Sequence, residues 1–117
     1  MIKLYGIPNC DTVKKARRWL DNQHLPYEFI DYRQQPLSET QLHDALQELS
    51  ATKLLNNRST TFRQLSESEK SNLDDAKTLQ LLMQYPTLIK RPLLHSSLGY
   101  MVGFSESSYQ HLQEQLA

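Results

Sequence analysis

The chain is short of several things, and each shortage closes off a class of function. Its 117 residues include one cysteine, so no internal disulfide can form. The three glycines make neither a G-x-G-x-x-G nor a G-x-x-x-x-G-K pattern, which argues against the two common phosphate-cradling loops. His24, His43, His95 and His111 stand singly, without the i, i+4 or short-loop spacing of zinc sites, so no metal is expected. Thirteen basic residues balance thirteen acidic ones, leaving no overall field for nucleic acid or a membrane surface, and any electrostatic function must be local. No apolar run approaches the ~18 residues needed to span a bilayer. Asn9 and Asp11 interrupt any signal-like apolar stretch near the start, and Lys14, Lys15, Arg17 and Arg18 follow. With the lone cysteine, this leads to the expectation of a reducing cytoplasm.

What is present is an apolar fraction of 38%, enough for one domain over residues 1–117 to close a core unaided. Nothing demands a dimer, so a monomer is expected. Ile2 to Tyr5 alternate in the period of a strand, which Gly6, Pro8 and Asn9 end. Val13, Ala16 and Leu20 then recur at helical spacing, with basic residues mostly on the remaining face and Trp19 read as core. Asn22 and Pro26 close this helix, and Tyr27 to Tyr32 reads as a second strand. Strand, helix and strand in this span have the size of one right-handed βαβ unit. Ser38 and Gln41 have the spacing of a capping box ahead of Leu42, Ala45, Leu46 and Leu49; Ser66 and Glu69 repeat it, and Leu79, Leu82 and Met83 mark a further helix bounded by Pro86. Leu88-Ile89, Leu93-Leu94 and Met101-Val102 read as strand material, with a hairpin turn at Ser96 to Gly99. A capped helix over 105–116 ends the chain, with Tyr109, Leu112 and Leu116 inward. The layout is α/β, with one sheet carrying helices on its faces.

The lone cysteine lies between a strand end and a helix start. Taken alone, Cys10 reads as a small buried apolar residue. At this turn, unpaired backbone amides and the positive end of a helix dipole converge, and both favour thiolate over thiol, as do basic neighbours. That placement favours a nucleophile. The second cysteine of a C-x-x-C motif would fall at position 13, which is Val13. An adduct on Cys10 must therefore be released by an external thiol, such as glutathione or a partner redoxin.

Arg91 precedes Pro92 in "LIKRPLL". Its guanidinium could bind an oxyanion or carboxylate bidentately and support a nearby thiolate, or form an ordinary surface ion pair. Cis is a minority state of X-Pro bonds, about 5–6%, so the sequence alone points to trans. Arg58, in the polar loop "LLNNRSTTF", could contact an anion, although such loops are solvated by default. The basic residues after Cys10 read first as a solvated face and second as an anion-attracting patch. Thr12 could hydrogen-bond the sulfur or a bound anion, or cap its helix.

Four stretches in this order, "YGIPNCDTVKKARRWL", "LLNNRSTTFRQL", "LIKRPLL" and "GFSESSY", resemble the arsenate reductase (ArsC)-like family, most closely its YffB branch. The resemblance implies a thioredoxin-like fold with a mixed sheet and a helical insertion, Cys10 in the reactive position, and Arg91 before a cis Pro92. It also implies an enzyme, a glutathione-dependent thiol reductase with no bound cofactor and glutathione as co-substrate. Arsenate reductases of the family attend the cysteine with three arginines. Only Arg91 carries over cleanly; Arg58 lies near the first position but out of register with it, and the third falls around Gly103 or Phe104, neither of them basic. A tetrahedral dianion would lose a charge-assisted partner of about 1.5–3 kcal/mol. Arsenate reduction is thus the second enzyme reading. The Spx-like regulators of the same fold imply a third, a non-catalytic protein that binds RNA polymerase, although Val13 removes the C-x-x-C switch they often carry.

Overall fold

The alternating start of the chain forms strand β1 (Ile2–Gly6), and the stripe after it forms helix α1 (Asp11–Asn22) with Val13, Ala16 and Leu20 buried. The computed structural model describes every residue from Met1 to Ala117. The chain divides into two compact units, one of Met1–Tyr32 with Arg91–Ala117 and one of Arg33–Lys90.

The first unit adds β2 (Tyr27–Asp31), β3 (Leu93–Ser96), β4 (Gly99–Val102) and a last helix, designated α6 (Glu106–Leu116). The sheet runs β2-β1-β3-β4, with β1 and β2 parallel and the other pairs antiparallel. This is the mixed, thioredoxin-like α/β sheet expected. β1 sits between two partners, so Tyr5 is buried as fully as Ile2 and Leu4, and strict alternation gives way to burial on both faces. Ile2, Leu4, Ala16, Leu20, Leu94, Tyr109 and Leu112 form one core cluster, with Trp19, Phe104 and Leu116 packed against it. Each fully buried leucine of this kind contributes about 1.5–3 kcal/mol. Gly6 is required where β1 meets α1, because a Cβ there would stand 2.8 Å from Val13 Cγ2.

The second unit is helical. Ser38 and Gln41 form the expected capping box, with Gln41 N donating to Ser38 Oγ at 3.1 Å and Ser38 N to Gln41 Oε1 at 2.8 Å. Helix α2 (Glu39–Leu54) follows, broken at Ser50, whose φ of 71° and ψ of 157° are not helical. Short helices α3 (Thr60–Arg63) and α4 (Glu67–Lys70) precede α5 (Asp75–Gln84), which buries Thr78, Leu81 and Leu82 and packs on α2.

Two readings of this region need correction. The Ser66 box does cap a helix, but only the single turn of α4; the helix of Leu79 and Leu82 starts afresh because Asp74 supplies a second cap, accepting from Lys77 N at 2.8 Å. Met83 falls on its exposed side at 41%. Leu88 and Ile89 are not a strand of the sheet. Pro86–Leu88 is a 3₁₀ turn, and Ile89 makes an isolated bridge to Leu55. Both apolar residues are buried nonetheless, so their hydrophobicity reflects packing within the helical unit.

Candidate active site at the carboxyl edge of β1

The strand registers assemble the site. Gly6 pairs with Asp31, so the carboxyl ends of β1 and β2 share one edge of the sheet. Tyr5 pairs with Leu93, which places the residues just before β3, Arg91 and Pro92, at that edge. Leu93 pairs in turn with Val102, so Gly103 to Ser105, leading into α6, emerge there too. Helices α1 and α6 thus both begin at the edge that holds Cys10.

Cys10 is the N-cap of α1, extended at φ −138° and ψ 126°, and half-buried. Its carbonyl accepts from Lys14 N at 2.9 Å, and no side chain caps the helix. Thr12 is therefore not the cap, since it lies one residue inside the helix, half-buried. The first-turn amides remain turned toward the end where the thiol sits, where helix geometry leaves them without backbone partners.

Arg91 is brought to the same end. The Arg91-Pro92 peptide bond is cis, and Gly103, at φ 78°, donates its amide to the Pro92 carbonyl at 2.9 Å. That left-handed conformation suits a glycine, and the bond ties the start of β3 to the end of β4. Nη1 of Arg91 donates to Tyr32 Oη at 3.4 Å. Burial works to lower the Arg91 pKa, but hydrogen bonding and charge interaction with Tyr32, and then with the Cys10 thiol, outweigh it and hold the guanidinium above its ordinary value. Arg91 is thus a cation held by Tyr32 and interacting with the thiol.

Tyr32 is fully buried and escaped notice in the sequence beyond its place at the strand end. The available signal was the parallel βαβ unit itself, which puts the residue after β2 beside the residues after β1. Cys10, Thr12, Arg91 and Pro92 all belong to this first unit. Arg58 belongs to the second, in an exposed turn where its amide donates to Asn56 Oδ1 at 3.2 Å. No group of three or more His, Cys, Asp or Glu residues is placed to hold a metal ion, and no helix is long and apolar enough to cross a membrane.

The family model for the ArsC family matches residues 5–112, nearly the whole chain. The chain belongs to the ArsC family. Among solved structures, this ArsC-family chain is similar to the YffB protein, with 40% identity and a TM-score of 0.92 over 95% of this chain and 97% of that one. It is also similar to an arsenate reductase (ArsC) related protein from Brucella melitensis, with 40% identity and a TM-score of 0.75 over 94% of this chain and 92% of that one. The global transcriptional regulator Spx 1 of Lactococcus lactis is 31% identical over 91% of this chain and 84% of its own length. The relatives thus include one named as arsenate reductase related and one named for regulation, and only the site of this chain can choose between them.

Proposed function

We propose that this ArsC-family protein is a thiol-disulfide oxidoreductase that uses one cysteine and takes its electrons from glutathione or a redoxin. The thiolate of Cys10 attacks one sulfur of a substrate disulfide. A bond forms from Cys10 Sγ to that sulfur, the substrate S–S bond breaks, and the departing thiolate takes a proton from solvent. An external thiolate then attacks the mixed disulfide, restoring Cys10 and leaving the reductant joined to the first half of the substrate. A second reductant thiol frees that half and leaves the reductant as its own disulfide. Two electrons pass from two reductant thiols to the substrate. Glutathione is here a co-substrate, and no resident cofactor is involved.

The observation that carries this reading is the Arg91 guanidinium, held by Tyr32 and interacting with the thiol of Cys10 at an uncapped helix start. Val13 stands where a resolving cysteine would, one helical turn from Cys10, and it is buried in the core. Pro92, also buried, shapes the edge beside the thiol. Thr12 is assigned the lesser role of a hydrogen-bond donor to the bound thiol. Arsenate reduction fits less well, because Phe104 brings an aromatic ring rather than a cation to the end of β4.

The test is incubation with oxidised glutathione followed by intact-mass analysis. One glutathionyl adduct is expected on the folded protein, absent in Cys10→Ser and removed by reduced glutathione. A folded protein that forms no adduct would contradict the proposal. If it also retained RNA polymerase on purification, the regulatory reading favoured by the likeness to Spx 1 would replace it.

A further inference from the structure

Beside the Cys10 edge lies an open cleft of about 570 Å³ between α1 and the start of α6, within the roughly 300–1,000 Å³ of small-molecule sites. Its α1 wall is a stripe of Thr12, Lys15, Trp19 and Asn22, with Arg18 alongside. Steps of three and four put these residues on one helix face. Phe104, Ser105 and Glu106 form the opposite wall.

The cations of α1 are not equivalent. Arg17 is engaged with β2, its Nε donating to Tyr27 Oη at 3.3 Å and its guanidinium lying 4.2 Å over the Phe29 ring. Lys15 and Arg18 are exposed, line the cleft, and are tied into no ion pair. The aromatic walls are held in place from beneath. Trp19 and Phe104 both pack edge-on against the fully buried Tyr109, with centroids at 5.8 and 4.8 Å. The cleft therefore offers two uncommitted cations, a rigid apolar wall, and one carboxylate, Glu106, across from them.

Position along the helix narrows the ligand. At 1.5 Å per residue, Lys15 lies about 7.5 Å and Arg18 about 12 Å along the axis from Cys10. Two extended peptide units span about 7 Å. A peptide thiol joined to Cys10 can thus place a charged end at Lys15. We propose that the cleft receives the zwitterionic amino-acid end of a small peptide thiol, its carboxylate at Lys15 and Arg18 and its ammonium at Glu106. This rests on the thiol-exchange reading above and names the chemistry that selects its co-substrate.

The rate of mixed-disulfide formation at Cys10 tests it, with oxidised glutathione and the uncharged hydroxyethyl disulfide as paired probes. In each reaction the Cys10 thiolate takes one half of the disulfide and the other half leaves as thiolate. Lys15→Gln with Arg18→Gln should slow the glutathione reaction about tenfold at low salt, with the difference shrinking as salt screens the charges. Glu106→Gln should slow it by about threefold on the same grounds. Either change should alter the hydroxyethyl reaction far less, since that probe senses only the cations' weaker effect on the thiolate itself. Equal slowing with both probes, or no slowing with glutathione, would overturn the cleft assignment, and acceleration in Glu106→Gln would overturn its ammonium contact. A failure of the unaltered protein to react with either probe would instead bring down the thiol-exchange reading itself.

Discussion

In the unit that holds Cys10, each chemical side chain hangs from a strand end or a helix start whose position the sheet dictates; in the helical unit, Arg58 hangs from an exposed turn. The register Tyr5 to Leu93 places Arg91, and the register Gly6 to Asp31 places Tyr32, before either side chain makes a contact. The helical unit relies on local devices instead. Ser38, Ser59, Ser66 and Asp74 each cap a helix, and leucines of α2 and α5 fill the space between them. Sheet register transmits order to a site across several residues, whereas a cap orders only its own turn. That is the physical reason to expect accurately placed chemistry in the first unit.

The sharpest way to break this contrast is to open a cavity in each unit. Leu4→Ala and Leu82→Ala both remove fully buried leucines, and each should cost about 2–5 kcal/mol in denaturant unfolding. The contrast lies in the consequence for the thiol. Leu4→Ala should also slow the reaction of Cys10 in the fraction that remains folded, because β1 carries the register, while Leu82→Ala should leave it unchanged. Equal slowing in both variants would show that the two units do not divide the work in this way.

A smaller effect is expected at Ser50. Its φ of 71° and ψ of 157° lie in a region that is essentially glycine's, with a strain of about 1–3 kcal/mol for other residues. Glycine there adds unfolded-state freedom worth about 0.5–1 kcal/mol. Ser50→Gly should therefore stabilise the protein by about 1 kcal/mol in the same unfolding measurement, without affecting Cys10. Destabilisation would mean that the break in α2 is not strained.

The comparison also explains what could be read from the residues. Helix α1 follows the period that packing against the sheet enforces, so Val13, Ala16 and Leu20 are recognisable as core, whereas β1 keeps its alternation only in part. The helical unit was harder. A buried Leu88-Ile89 pair looks the same whether it fills a sheet or packs under helices, and only the 3₁₀ turn after Pro86 distinguishes the two. The Ser66 box opens a single turn, and the helix that holds Leu82 takes its own cap from Asp74, a residue with no box spacing to announce it. At the site, Cys10 and Arg91 were legible as candidates, and the cis bond was implied only by family likeness. Tyr32 carries no local motif, and only the pairing within the βαβ unit points to it.

The most direct test of the account is the alkylation rate of Cys10 by iodoacetamide at pH 7 in the folded protein, compared among the parent, Arg91→Lys and Arg91→Ala. A charge-assisted contact of about 1.5–3 kcal/mol leads to a fall of about tenfold or more in Arg91→Ala, with Arg91→Lys between it and the parent. Equal rates in the parent and Arg91→Ala, with circular dichroism unchanged, would show that Arg91 does not support the thiolate and would contradict the central claim.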